Sequence, residues 1–95
     1  MPGAVRLNDV CTGHGCYGSR GNISASPNVF VNSRGAHRVG DSWDSHGCAV
    51  CPDHGGSQAS GSPNVFVNGM PLARIGDSID CGSTNSSGSG DVIVN

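Results

Sequence analysis

Ninety-five residues with a formal charge of −2, no Glu, no Lys and five scattered Arg provide no basic stripe that could neutralise a phosphate backbone, so nucleic acid is excluded as a partner. A chain this short gains only a modest margin from burial, and one small domain spanning 1–95, reinforced by additional staples, is expected. Helix-favouring straight-chain residues are nearly absent, while Gly (sixteen), Ser, Asn, Asp and Val dominate; the reading is all-β, with no helix longer than a turn.

Residues 1–9 open with Met-Pro-Gly-Ala-Val-Arg, which has no charged region followed by an apolar core, and the longest apolar runs are only a few residues. Neither a signal peptide nor a membrane span is expected. The expectation is a protein made in a cytoplasm, with any later export taking another route. Residues 10–25 form a Gly-rich connection carrying Cys11, His14 and Cys16. Ser26 to Ser42 then reads as a strand (Val29-Phe30-Val31), a tight turn at Asn32-Ser33 and a second strand closing on Arg38-Val-Gly-Asp41. A second connection, 43–61, holds His46, Cys48, Cys51 and His54. The hairpin returns as Ser62 to Ser78, with eleven of seventeen positions identical. A third connection, from Ile79 to Gly88, carries Cys81. Its Ser/Gly composition resembles a linker, but its place in the repeat predicts an ordered loop.

A third copy of the hairpin is divided between the chain ends. Ser89 to Asn95 repeats the first half and Ala4 to Asp9 the second, with Arg6 and Asp9 where Arg38/Asp41 and Arg74/Asp77 stand. If the last strand lies beside the first, the molecule closes with pseudo-threefold symmetry. A triplicated Arg/Asp pair reads as a structural clamp rather than as catalytic machinery, and no nucleophile elbow, Ser-His-Asp spacing or phosphate-cradling loop is present, so no enzyme is expected. Phe30, Phe66 and Ile93 are equivalent and are expected either in the core or as an apolar patch around the axis.

The odd count of five Cys, with four His, favours a metal over a pure disulfide framework. His14 and His46 each fall five residues after the aspartate ending a hairpin, and Cys81 falls four after. Equivalent ligands in three symmetry-related loops approach the axis at one height. His54 is the best remaining fourth donor, giving His14, His46, His54 and Cys81, a set suited to zinc, with iron the less favoured ion. Cys11, Cys16, Cys48 and Cys51 read as packing or oxidisable thiols, with entry of one or more of them into the metal shell in place of His54 or Cys81 left open. His37, opposite Ala73 and Val5 in the other copies, reads as a surface or core histidine rather than a ligand.

The segment Ser62-Pro-Asn-Val-Phe-Val-Asn-Gly-Met-Pro-Leu-Ala-Arg-Ile-Gly-Asp77, with Pro71-Leu-Ala-Arg74 at its centre, resembles the PAAR repeat. The likeness extends through Met1 to Arg6, His14-Gly15, Cys51-Pro-Asp-His54-Gly55 and Cys81-Gly82; Gly35-Ala-His-Arg38, which lacks the motif's proline, and the surplus cysteines depart from it. The resemblance implies a small cone of three β repeats capping the trimeric β-helical spike of a contractile phage tail or type VI secretion apparatus, with zinc near its point held by three His and one Cys. It implies a tip that is monomeric by itself, docks one per trimer through its broad base and makes transient contact with a target outer membrane; with Asn95 on the last strand, no appended toxin is expected. It would lie at the virion tail tip or leave the cytoplasm with a type VI spike. The alternatives are a stand-alone zinc-binding regulatory or chaperone-like module and a small secreted enzyme or toxin.

Overall fold

The computed structural model describes residues 2–15, 17–48 and 51–95, with the side chains of 48 and 51–53 outside that description. The readings made for Cys16, Cys48 and Cys51 therefore lie outside the described residues. Among the described residues there is no helix. Six strands form three two-stranded antiparallel sheets: β1 (Phe30–Val31) with β2 (Arg34–Gly35), β3 (Ser42–Cys48) with β4 (Cys51–Ser57), and β5 (Phe66–Val67) with β6 (Met70–Pro71).

The β1–β2 and β5–β6 hairpins turn through residues with positive φ at both central positions, Asn32 (53°) and Ser33 (66°) in one, Asn68 (53°) and Gly69 (80°) in the other. This is the primed turn whose twist suits a two-residue hairpin, and Asn is among the few side chains that tolerate it. Each hairpin is entered through a serine turn: the Ser26 hydroxyl accepts the Asn28 and Val29 N–H groups, Ser62 those of Asn64 and Val65, and Ser89 those of Asp91 and Val92.

The copies close into a ring. The Val5 N–H donates to Ala73 O (3.0 Å), His37 to Val5 O (3.0 Å) and Ala73 to His37 O (2.9 Å), a cycle of three backbone bonds around the pseudo-threefold axis. Flanking bridges follow the same order, Arg6 with Ala36, Arg38 with Leu72 and Arg74 with Ala4. The split copy is completed where Gly3 bridges Ile93 and Val94 N–H donates to Pro2 O (2.9 Å). Because each copy pairs with the next, burial also comes in triples. Val31, Val67 and Val94 pack with Ala4, Ala36 and Leu72, and further along the chain Cys11, Trp43 and Ile79 form a second cluster. The body is elongated, 38 × 24 × 22 Å.

The Arg–Asp pairs act as clamps at the exit of each copy. Asp41 takes the Arg38 backbone N–H, Nε and Nη2 at 2.8–2.9 Å, and Arg6–Asp9 and Arg74–Asp77 repeat the arrangement. The remaining guanidinium nitrogen reaches across to the next hairpin turn, Arg6 to Asn32 and Arg38 to Asn68. The turn inside each clamp needs a left-handed residue: Asn8 (72°), Gly40 (93°) and Gly76 (92°) occupy it. Open space surrounds both glycines, so the backbone angle rather than crowding selects them. Burial works against ionising Asp9 and Asp41, but the bonds from Arg6 and Arg38 outweigh it and hold both carboxyls below the usual range.

One expectation is corrected here and another is narrowed. The second connection is not a loop but the longest hairpin among the described residues, β3–β4. Its register shifts between Trp43 and His46 and again between His46 and Cys48, and these irregularities erase the alternation by which a strand is recognised. Of the two places open to Phe30, Phe66 and Ile93, the core is ruled out: they are 61%, 56% and 46% exposed. The third connection is tied in as an ordered loop, with Asn85 N–H on Asp77 O, Ser86 N–H on Val10 O and Ser89 N–H on Ala4 O.

His37 is the polar member of the axial triple and is fully buried. Its Nδ1–H donates to Ser24 O (2.9 Å), its ring meets Trp43 edge-on at 5.2 Å, and no hydrogen-bond partner lies at Nε2 among the described residues. Burial lowers its pKa against the opposing pull of the Ser24 carbonyl and Asp41. As pH falls below about 6.5, the unfolded chain takes up a proton that the folded chain refuses, so stability should fall toward the lowered value. Melting temperatures measured between pH 7 and 5 should drop more steeply for the native chain than for His37→Val, which copies Val5; equal slopes would contradict this. Removing a clamp carboxylate with Asp41→Asn should cost about 1–3 kcal/mol in denaturant unfolding, because the Arg38 donors lose a buried, charged acceptor.

Candidate metal centre

The four residues proposed as ligands come from three connections. His46 lies on β3 directly opposite His54 on β4, so the bulged hairpin presents two imidazoles side by side. His14 sits in a tight reversal in which it and Tyr17 exchange both backbone hydrogen bonds, at 3.0 and 2.8 Å. Cys81 follows Ile79 in a turn closed by Gly82 N–H on Ile79 O, with Gly82 at φ 106°. Since Cys11, Trp43 and Ile79 pack together one step earlier in each copy, the following residues are delivered to a common place.

There the donor atoms converge. His14 Nε2 lies 3.0 Å and His46 Nε2 2.7 Å from His54 Nε2, and the ligand atoms of His14, His46, His54 and Cys81 all lie within 4.8 Å of one another. His46 Nδ1 is 2.7 Å from the Gly18 carbonyl, which can only accept, so Nδ1 carries the proton and Nε2 offers its lone pair to the cluster. Three imidazole nitrogens and a thiol at this separation form a group that could hold a metal ion. Tetrahedral ligands at zinc–nitrogen distances of about 2.0–2.1 Å would stand about 3.3 Å apart; the His54 nitrogen is somewhat closer to its two neighbours, at 2.7 and 3.0 Å, and the whole set lies within 4.8 Å, so small side-chain shifts would bring it to that spacing. His37 is elsewhere, in the core. Cys11 is buried and free, and it is not among the clustered donors.

Three features around the cluster were not read from the sequence. The Tyr17 ring lies against it, stacked on His14 (centroids 4.8 Å apart) and tilted against His46 and His54 (5.0 and 4.2 Å). The Gly18 carbonyl sets the His46 tautomer. Arg20, almost fully buried, donates to two thiols, Nη1 to Cys11 Sγ (3.0 Å) and Nη2 to Cys81 Sγ (3.2 Å). Burial alone would push the Cys11 thiol up, but the Arg20 backbone and guanidinium bonds, with the Gly13 N–H, bring it below its ordinary value. None of these residues is repeated in the other copies, which is the signal that would have been needed to find them.

A small all-β protein of three cyclically paired repeats, with a His/Cys group able to bind metal between their connections, is the class defined by this fold and site. The PAAR motif family model matches residues 20–87, and the chain belongs to the PAAR family. That is a family of structural spike-tip proteins, and membership suggests such a role in contractile injection systems. A search of curated proteins finds no match.

Titration of the reduced apo chain with zinc or cobalt should give one ion per chain. His54→Ala should lower the affinity at least tenfold, whereas Cys11→Ala should leave the stoichiometry unchanged; loss of stoichiometric binding on Cys11→Ala would place that thiol among the ligands.

Proposed function

We propose that this protein is the metal-stapled tip of a contractile injection machine, in a phage tail or a type VI secretion system. One copy caps each trimeric β-helical spike and sharpens it for passage through a target outer membrane. The observation that carries this reading is an exposed apolar pair repeated three times on a single chain. The cyclic backbone pairing places Val29/Phe30, Val65/Phe66 and Val92/Ile93 at equivalent positions, and all six side chains are exposed. A monomer has no internal use for three equivalent apolar pairs, but a trimer presents three equivalent surfaces to receive them.

The ligands proposed are His14, His46, His54 and Cys81, and the ion proposed is zinc. When bound it supplies coordination bonds that tie three connections together, where the apolar layer ends at Cys11, Trp43 and Ile79 and little further apolar side chain is available to pack. His46, held by the Gly18 carbonyl, and Tyr17, stacked on His14 and tilted against His46 and His54, fix the donors in place. The work is mechanical: a stiff end transmits the force of a contracting sheath, and the chain, made in the cytoplasm, travels with the spike.

Mixing the purified chain with the trimeric spike protein of its own injection system should give a complex with one tip per three spike chains by mass measurement. Phe30→Asp with Phe66→Asp should reduce that affinity at least a hundredfold while leaving metal content intact. Binding to a monomeric client alone would favour a regulatory or chaperone-like module. Metal removal from the native chain should lower its melting temperature substantially; an unchanged melt after verified metal loss would refute the staple.

A further inference from the structure

The layer beneath the candidate ligands is unequal. Cys11, Trp43 and Ile79 hold equivalent places in it, each two residues after a clamp aspartate, and cysteine is far the smallest of the three. Arg20 occupies the space so left. Its guanidinium lies 5.3 Å from the Trp43 ring centre, Nε donates to Asp44 O (2.8 Å), Nη1 to Cys11 Sγ and Nη2 to Cys81 Sγ.

The repeat shows how room is made for it. Asn22, Gln58 and Asn85 are equivalent, each donating its N–H to the clamp aspartate carbonyl, so the positions matching Arg20 are Gly56 and Ser83. A Cβ on Gly56 would stand 2.9 Å from Arg20 Nη2, so one copy supplies a guanidinium and a second keeps its place clear. A buried guanidinium needs acceptors. The other four arginines have carboxylate partners, whereas among the described residues Arg20 has one carbonyl and two sulfurs.

We propose that Arg20 is a positioning residue of the metal centre, its Nη2–H···Sγ bond turning Cys81 toward the three imidazoles and drawing charge from the thiolate. This rests on the reading of Cys81 as a ligand. A hydrogen bond to sulfur stabilises the lone pairs that donate to the metal, and a fixed cation beside the ion opposes any rise in the ion's own charge. The centre therefore favours an ion that remains divalent, and iron held there stays ferrous.

The test compares cobalt(II)-loaded native chain with Arg20→Gln and with Gly56→Ala, which leaves Arg20 and every ligand in the chain but crowds the guanidinium. In both variants the thiolate-to-cobalt charge-transfer band should move to lower energy and cobalt release to excess chelator should quicken at least tenfold, a spectral change that a purely structural role would not produce. If Arg20→Gln does not fold, Gly56→Ala and the native chain loaded with cadmium-113 still decide the matter, the latter through a scalar coupling between the metal and an Arg20 Nη proton. An unmoved band and release rate in a folded variant, or no such coupling, overturns the proposal alone. Absence of any thiolate charge-transfer band in the native chain overturns the assignment of Cys81 as a ligand, and the proposal with it.

Discussion

The cycle of backbone hydrogen bonds linking Val5, His37 and Ala73 is the constraint from which the rest of the molecule follows. It is an unusual way to close a fold, because no copy is complete without the next: a hairpin of two-residue strands is too short to be stable alone. Exchanging one bond at each step of a three-step ring leaves those axial residues with N–H and C=O both satisfied where they are fully buried. Everything outside the ring inherits its order. The clamps, the serine turns and the bridges from arginine to the neighbouring hairpin turn recur in the same rotation, so a large share of the fold is backbone and polar side chain satisfied by neighbours rather than apolar side chain removed from water.

Such a design is economical in hydrophobic residues and consequently thin in core. Three valines, two alanines and a leucine make up one cluster, and Cys11, Trp43 and Ile79 with part of Cys81 the other. Beyond the second layer the connections need a different kind of bond, and the donors are where it would be formed. Coordination suits that place because its strength depends on geometry rather than on the area buried. The hairpin turns carry the opposite chemistry, exposed apolar side chains in threefold register, so one short chain offers a surface for a partner and a group for an ion at different positions along each repeat.

What could be read from the sequence was what repeats. Two hairpins, their turns, the Arg–Asp pairs and even the copy split between Ala4–Asp9 and Ser89–Asn95 were legible, since each appears at a fixed offset in a duplicated frame. The same logic aligned His14, His46 and Cys81, and the structure brings their donor atoms together with that of His54. What breaks the symmetry was hidden. The β3–β4 hairpin is bulged at the positions that aim His46 and His54, so its strands show no simple alternation. Arg20 and Tyr17 have no counterparts, and the space that Arg20 fills is left by the small size of Cys11 and Gly56, which becomes meaningful only once the three copies are stacked. The exposure of Phe30 and Phe66 could not be separated from burial, because an apolar residue in a two-residue strand faces inward or outward according to a register that the ring, not the strand, decides.

The claim at the centre is that three wrapped copies of one ribbon bring their connections to a shared ion. X-ray absorption at the zinc edge of the purified, metal-replete chain tests it most directly. A first shell of three nitrogens at about 2.0–2.1 Å and one sulfur at about 2.3 Å, with imidazole scattering, is the predicted result. A shell dominated by sulfur, which would move the ion to the surplus cysteines, or a chain that retains no stoichiometric metal, would contradict it.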